Sequence, residues 1–519
     1  MWGNILLMAK EMSTEKDGFP GKPTSVWMDT TSETDYPALN GKVKTDAVIV
    51  GGGIAGILTA YSLLEAGIKV VLLESGRVAE DVTAYTTAKV TSAHGAMYHY
   101  LTEKFGEDKA KLYADANQAG LLKIVSIILN RKIDCELRKQ SAYIYTEKAK
   151  NRGALKKEAE AARRLGLPAR YTEDTPLAFI KGVVEYQNQA QFHPRKFLLD
   201  LANDISKEAL LFENSRAIKV QEDGKNVTVF TGQGEVEAKS LIIATHFPFY
   251  DKERFYTKLY PHRSYVLGLK LKTEVPDGMY FSIDGMRNSI RNQGLYGKKI
   301  LLVGGGTERA GVDADTLKYY ERIRTYADER FDVEEIEYHW FTQDNRTPDR
   351  LPYIGKMSGA KNIYVAAGFG GWGMTTSAAA STVLTDLILG KVNTAASLFD
   401  PARKVGNRLG PIEASISENV KTFTHLLERY TKRYPFELPA GFEPGEGKIV
   451  SMRGRKVAIY KDKEGKIYSL SPVCKHMGCN VGWNVTEKTW DCPCHGSRYN
   501  YDGKVIHGPA NEDLDKIDI

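Results

Sequence analysis

Short apolar runs alternate with helical segments at the start of this chain, and the alternation changes character twice further on. Residues 45–50 form an apolar run, 57–66 have helical periodicity closed by Gly67, and 69–73 form a second run ending at Glu74. That order predicts strand, helix, strand. Apolar positions in 104–130 predict a long amphipathic helix with Leu112, Ala116, Ala119, Leu122 and Val125 facing a core, and 150–166 predicts a charged, solvated helix. Phe192-His193-Pro194-Arg195 opens another helix, with Pro194 near its first turn and His193 as a cap. Residues 216–245 read as a β-meander, and 255–340 alternate in strand fashion with Tyr265, Leu267, Leu269, Tyr280, Phe281 and Ile290. A strand at 362–367 then runs through a Gly-rich turn into an apolar helix reaching Leu389. After a helix around 412–430 and a Pro/Gly-rich boundary at 435–447, only short strands remain, at 448–450, 456–460 and 466–470.

A chain of 519 residues is too long for one core. The expected domains are an arm at 1–43, a main body at 44–400, a linker helix at 401–434 and a small all-β domain at 435–519. The 71 basic against 65 acidic residues leave a net charge of +6, too dispersed to imply nucleic acid. No apolar run approaches a membrane span, so no integral membrane segment is expected. The briefly apolar start, 1–10, lacks a basic region and a cleavage site; it reads as an untargeted leader and the location as cytoplasmic. Trp27 is the expected anchor of the arm.

The first chemical signal is Gly51-Gly52-Gly53-Ile54-Ala55-Gly56 between strand and helix, with Glu74 eighteen residues beyond Gly56. Gly51 permits the tight turn. Gly53 lets backbone N–H groups approach a pyrophosphate at the positive helix end. Gly56 allows close helix–strand packing, and Glu74 suits a ribose diol. The competing reading is a structural turn in another α/β protein. The hydroxyl-rich, basic segment 84–95 is placed to wrap a pyrophosphate and a flavin edge. His94 and His99 have part of a non-haem iron spacing, but Thr91 stands where the carboxylate belongs. Lys299 to Gly306 resembles a second nucleotide loop in which Arg309 replaces the third glycine, so it reads as a strand and turn of a substrate sheet.

Four of the five cysteines fall in one stretch, as Cys474-Lys475-His476-Met477-Gly478-Cys479 and Cys492-Pro493-Cys494-His495-Gly496-Ser497-Arg498-Tyr499. Cys135 stands alone and reads as structural. Three metal readings compete. Structural zinc takes four thiolates, or two thiolates and two imidazoles. A ferredoxin site needs four cysteines in its own spacing. Cys474-x-His476 and Cys492-x-x-His495, fifteen residues apart, form the Rieske [2Fe–2S] pattern, with two thiolates on one iron and two imidazoles on the other.

Gly51, Gly53 and Gly56 with Glu74, Pro348-Asp349-x-x-Pro352, and Gly370-Gly371-Trp372-Gly373-Met374 before a helix together resemble the D-amino-acid oxidase superfamily, which includes glycine and sarcosine oxidases. The resemblance covers roughly 44–395. It implies an α/β FAD-binding domain (Rossmann-like, of glutathione-reductase type; parts about 44–100, 190–250 and 340–395) and a mixed-sheet substrate domain (about 131–189 and 255–339). The implied FAD contacts are Gly51, Gly53, Ile54, Ala55, Gly56, Glu74, Ser75, Thr86, Thr87, Lys89, Ala217, Thr245, Gly370, Gly371, Trp372, Gly373 and Met374. No cysteine near the last of these offers a thioether attachment.

The C-terminal boxes resemble the high-potential Rieske proteins of respiratory and photosynthetic cytochrome complexes. That resemblance implies a disulfide between Cys479 and Cys494, hydrogen bonds from Ser497 and Tyr499 to cluster or ligand sulfur, and a covering loop at Gly508-Pro509-Ala510. The whole order resembles bacterial FAD-dependent oxidoreductases with C-terminal Rieske domains. The expected function is oxidation of a C–N bond in an amine, amino acid or N-methyl compound, with electrons leaving FAD through the cluster to an external one-electron acceptor. The alternatives are an electron-transfer reductase for a partner oxygenase and a non-catalytic redox sensor. His262, Arg263, Tyr265 and Arg291 are the candidate pocket residues, an arginine being suited to clamp a carboxylate.

Overall fold

A computed structural model describes residues 19–295, 297–312, 314–403, 409–436 and 442–518, with only the backbone described for 409–416. The leader at 1–10 and part of the 435–447 boundary lie outside the described residues. Among the described residues no helix is long and apolar enough to cross a membrane.

Two large sheets carry the body. The first has eight strands. Its parallel heart sets Gly41–Val50 between Gly234–Ile243 and Val70–Leu73, with Leu210–Phe212 and Ile363–Ala367 continuing outward on either side. These central strands are apolar on both faces because helices cover one side and the meander strands Lys219–Glu222 and Val227–Phe230 flank the other. The helix Ile54–Glu65 follows the glycine loop directly. A Cβ on Gly56 would lie 1.8 Å from the Gly51 carbonyl oxygen, and one on Gly51, at φ 113°, 2.4 Å from that of Ala244. Neither position tolerates a side chain, and this close approach keeps the loop flush against the sheet edge.

The second sheet has nine strands and is mixed. Its long members are Val333–Arg346, Tyr260–Leu271 and Lys298–Arg309, paired antiparallel. Lys298–Arg309 runs straight through the expected glycine turn: Gly304 and Gly305 pair with Val266 and Tyr265. The helix Leu317–Asp328, absent from the alternation reading of 255–340, covers this sheet through Tyr319, Tyr320 and Ile323.

Two expected helices differ in detail. The 104–130 helix is broken at Gly106 (φ 88°) into Tyr98–Phe105 and Glu107–Arg131. Its buried face carries Ala110, Tyr113, Ala114, Asn117, Leu121 and Ile124, whereas Leu122 is 58 % exposed. The face is turned by one residue because Gly120 must touch the helix Gly373–Ile388, its Cα lying against the Thr375 carbonyl. The helix Arg152–Arg164 is amphipathic rather than fully solvated, and its Glu158 is buried. The Glu158 carboxylate accepts the N–H groups of Met97, Tyr98 and His99 and so caps the earlier helix Tyr98–Phe105. His193 caps Pro194–Ile205 with its ring accepting the Lys196 N–H (3.1 Å). Trp27 is fully buried, its indole N–H donating to the Thr86 carbonyl (2.7 Å).

The C-terminal unit is all β: a three-stranded and a four-stranded sheet around Trp483, Trp490 and Tyr499. The helix Leu409–Thr431 leads into it. The unit docks on the mixed sheet through Arg263, whose guanidinium meets the Asp491 carboxylate at 2.7 Å; the two side chains are 1 % and 3 % exposed. Gln343 donates to the Gly496 carbonyl (2.9 Å) and Arg309 to that of Cys494 (3.3 Å). Removing one partner of a buried pair strands the other charge. Arg263→Met is therefore expected to destabilise the C-terminal unit by about 3 kcal/mol, read as a lower urea midpoint in the fluorescence of Trp483 and Trp490.

Candidate functional site

One cavity of about 900 Å³ runs between the two large sheets. Of the predicted FAD contacts, all line it except Gly56, which packs beneath the loop. The dinucleotide end is built by the first parallel strands. The Glu74 carboxylate accepts the Gly52 N–H (2.6 Å) and the Gly76 N–H (2.8 Å), holding the loop and the strand end together. Thr83 Oγ1 accepts the Ile54 N–H (3.2 Å) at the helix start. At the other end Gly370, at φ 60°, and Gly371, at φ 94°, turn the chain into Gly373–Ile388, presenting that helix's N-terminus to the cavity. Among the described residues, His246 Nε2, Thr342 Oγ1, Thr347 Oγ1 and Ser377 Oγ are buried without a hydrogen-bond partner, and all four residues line the cavity. A long polar ligand such as FAD answers those orphaned groups, so the site fits the cofactor.

Lys89 projects from the 84–95 segment and donates to Thr87 Oγ1 (3.2 Å) and to Ser289 Oγ. His94 stacks on Trp372 at 4.9 Å, with Nδ1 2.7 Å from the Tyr113 hydroxyl. Burial pushes the His94 ring down to about 3, so it is neutral.

The four pocket candidates separate. His262 and Tyr265 line the cavity. Burial, reinforced by Arg346, brings His262 down to about 4. Tyr265 spends its hydroxyl on Glu308. Arg263 faces away, into the domain seam with Asp491. Arg291 is 1 % exposed and donates to the carbonyls of Thr87 (2.9 Å) and Ala88 (2.7 Å), which makes it a brace for the flavin segment. The arginines that do line the cavity are Arg77, Arg216, Arg287, Arg346 and Arg350, the last three lying close enough together to act on one another's charge. Burial and the charges of Arg287 and Arg350 bring Arg346 down to about 10, against the opposing pull of Asp344. Sequence reading passed over Arg346 although it directly precedes the Thr347-Pro348-Asp349 motif; nothing in the pattern told which face of its strand it would take.

In the C-terminal unit two loops face each other. Cys474 and Cys492 are buried free thiols, and the His476 and His495 rings lie 4.8 Å apart. Among the described residues, His476 Nδ1 and both His495 ring nitrogens are buried without a well-formed hydrogen bond, the Tyr256 backbone being the polar group near His495. Burial holds the two rings neutral, at about 4 and about 3. Two thiols and two orphaned imidazoles on one side of two loops are the donor set of a [2Fe–2S] centre with mixed ligands. Cys479, Cys492 and Cys494 also converge within 4.8 Å, but Cys479 and Cys494 are joined as a disulfide, which withdraws them as thiolate ligands. The Tyr499 hydroxyl donates to Cys474 Sγ (3.3 Å), and Ser497 bonds the same sulfur while accepting the Ala510 N–H (3.0 Å).

The distance between the two sites is short in residues. The Phe247 ring lies edge-on to His476 at 5.8 Å and to His495 at 6.3 Å, and Phe247 also lines the cofactor cavity. Tyr256 meets His495 as well, at 6.1 Å, from outside the cavity.

The FAD dependent oxidoreductase (DAO) family model matches residues 46–387, and the Rieske [2Fe-2S] domain model matches 433–518. YhfW of Bacillus subtilis (strain 168), named for a Rieske 2Fe-2S iron-sulfur protein, is 38% identical over 505 residues, spanning 96% of this chain and 98% of its own length. Gamma-glutamylputrescine oxidoreductase of Escherichia coli (strain K12) is 23% identical over 68% of this chain and 86% of its own. The crystal structure of glycine oxidase from Geobacillus kaustophilus shares the fold at a TM-score of 0.59 and 18% identity, covering 70% of this chain and all of that one.

Two predictions follow from this geometry. Tyr499→Phe removes a donor that favours the reduced, more negative cluster, so it lowers the cluster's midpoint potential in a titration followed by electron paramagnetic resonance. Burial, then the Arg291 charge, bring Lys89 down to about 7. Above that pH it is neutral in the apoprotein, while an anionic cofactor favours its charged form. FAD binding then takes up a proton, and affinity falls as pH rises from about 7 towards the ordinary lysine value. Lys89→Met flattens that slope in FAD titrations of apoprotein at about pH 6 and about pH 9.

Proposed function

Because this chain belongs to the FAD-dependent oxidoreductase (DAO) family and carries a Rieske [2Fe-2S] domain, we propose that it oxidises a C–N bond of a carboxylate-bearing amine or amino acid and delivers the electrons through the cluster domain to an external one-electron acceptor. Bound FAD supplies a two-electron hydride acceptor and the [2Fe–2S] cluster a one-electron carrier. The observation that carries the reading is Phe247, one side chain that lines the cofactor cavity and touches both cluster histidines. The imidazole edge of the cluster site thus faces the flavin domain, with Tyr256 and Phe247 packed over it.

The substrate class rests on charge. Arg346 is half-buried and lines the cavity, and Arg287 and Arg350 stand close enough to repel it. Arg350 is steadied over the Tyr100 ring at 4.3 Å. Clustered cations of this kind favour an anionic group on the substrate, held by charge-assisted hydrogen bonds. His262, neutral at ordinary pH, adds no competing positive charge beside the amine. The sheet strands Tyr260–Leu271 and Lys298–Arg309 roof the pocket with Ser264, Tyr265 and Gly305, which exclude water from the reacting face. The location we assign is the cytoplasm, with the Cys479/Cys494 disulfide protected from reduction by its burial.

An anaerobic titration with a panel of amines, amino acids and N-methyl compounds, followed by flavin bleaching, identifies the substrate. Stopped-flow mixing with that substrate should bleach the flavin and then reduce the cluster. A cluster that stays oxidised while the flavin bleaches rules out transfer within the chain. Arg346→Leu is expected to cost roughly 1.5–3 kcal/mol in kcat/KM for a carboxylate-bearing substrate, chiefly through KM.

A further inference from the structure

The cavity that takes FAD is not made by the FAD-binding domain alone. His507, Gly508, Pro509 and Asn511 of the C-terminal unit line it together with Gly51 and Gly53 of the glycine loop. Several of their contacts are to the dinucleotide half. His507 Nδ1 lies 2.9 Å from the Asp81 carboxylate. Asp81 opens the short helix Asp81–Tyr85, whose Thr83 holds the Ile54 N–H at the pyrophosphate end of the glycine loop. The Arg216 guanidinium, beside Ala217, donates to the Val505 carbonyl (3.4 Å). The His507 ring packs against His246 at 5.4 Å, and His246 is held at φ 62° directly after Thr245.

We propose that the C-terminal domain is a wall of the FAD site: its loop at 506–511 closes the dinucleotide half of the cavity, so that FAD is seated before the domain docks and is retained by that docking. A ligand of this size is held by burial of most of its surface. The glycine oxidase fold is matched in full by 70% of this chain, so this wall is an addition to the fold. The docking that holds the wall in place is buried and close. Arg263 and Asp491 are both buried, and a Cβ on Gly311 would lie 2.7 Å from the Cys492 carbonyl. Any loosening of that seam, even far from the cofactor, opens a path out for FAD. The inference rests on FAD binding and not on the substrate or the direction of electron flow, so it stands or falls apart from the function proposed above.

The test is FAD release from the full-length holoprotein into excess apo-flavoprotein trap, read by flavin fluorescence, with cluster absorbance followed in parallel. Gly311→Ala wedges the seam without touching the cavity. It should release FAD on the order of tenfold faster, equivalent to about 1.4 kcal/mol of lost retention. His507→Ala removes the link to Asp81 and should release FAD a few-fold faster, and Asp81→Asn combined with it should add little. Ile467→Ser, on an exposed position of the same domain away from the wall, should release FAD at the wild-type rate. Wild-type release from both Gly311→Ala and His507→Ala overturns the proposal, as does equal acceleration by Ile467→Ser. Should Gly311→Ala fail to fold, the His507 and Asp81 variants decide alone.

Discussion

Arg263 and Asp491 meet across the domain seam where neither has water to fall back on, and much of the molecule's organisation depends on that meeting. Burial pushes the Asp491 carboxyl up, but Arg263 and Arg498 outweigh it and hold it at about 2. Asn484 and Thr489 complete its hydrogen bonds at 3.1 and 2.9 Å. The pair adds little net stability over a well-packed apolar contact, but misplacing either member leaves a buried charge. It therefore acts as a registry device. Asp491 is adjacent in sequence to Cys492, and Arg263 lies on the strand Tyr260–Leu271, which lines the large cavity through His262, Ser264 and Tyr265. Together with Gln343 and Arg309, which donate to the Gly496 and Cys494 carbonyls, this ion pair ties the ligand loop of the C-terminal unit to the mixed sheet.

That registry explains why the connections between the sites are made by so few residues. Thr245, His246 and Phe247 leave the end of one parallel strand and serve three neighbours in succession: the glycine loop through Thr245, the 506–511 loop through His246, and the cluster histidines through Phe247. The left-handed backbone at His246 is a local strain that this threefold packing sustains. The helix Leu409–Thr431 seals the seam from outside, with Asn419 donating to the Thr257 carbonyl, Thr422 receiving Arg309 and Arg429 reaching the Gly478 carbonyl.

The helix faces show where a one-dimensional pattern falls short. Of the apolar stripe Leu112, Ala116, Ala119, Leu122 and Val125, three members pack half-buried against the core while Ala119 and Leu122 face out, and the fully buried positions lie one residue away. The deciding contact is between Gly120 and a helix more than 250 residues later, which no local periodicity records. Glu158 is similar: it reads as part of a charged surface and is instead the buried cap of a helix that precedes it. The arginines follow the same logic. Arg263 and Arg291 carry the same charge as Arg346, and only the pleat and the neighbouring sheets decide which of them faces the ligand.

The sequence by itself determined the chemistry. The glycine loop with Glu74, the Gly370–Met374 turn and the paired Cys/His boxes each depend on neighbours within one short stretch, because a tight turn, a helix N-terminus or a ligand loop is a local object. Phe247, the domain seam, the arginines of the pocket and the composite wall around the dinucleotide were decided only by tertiary structure. Each of these depends on contacts between segments far apart in the sequence. Its meaning comes from burial, and burial is a property of the packed whole.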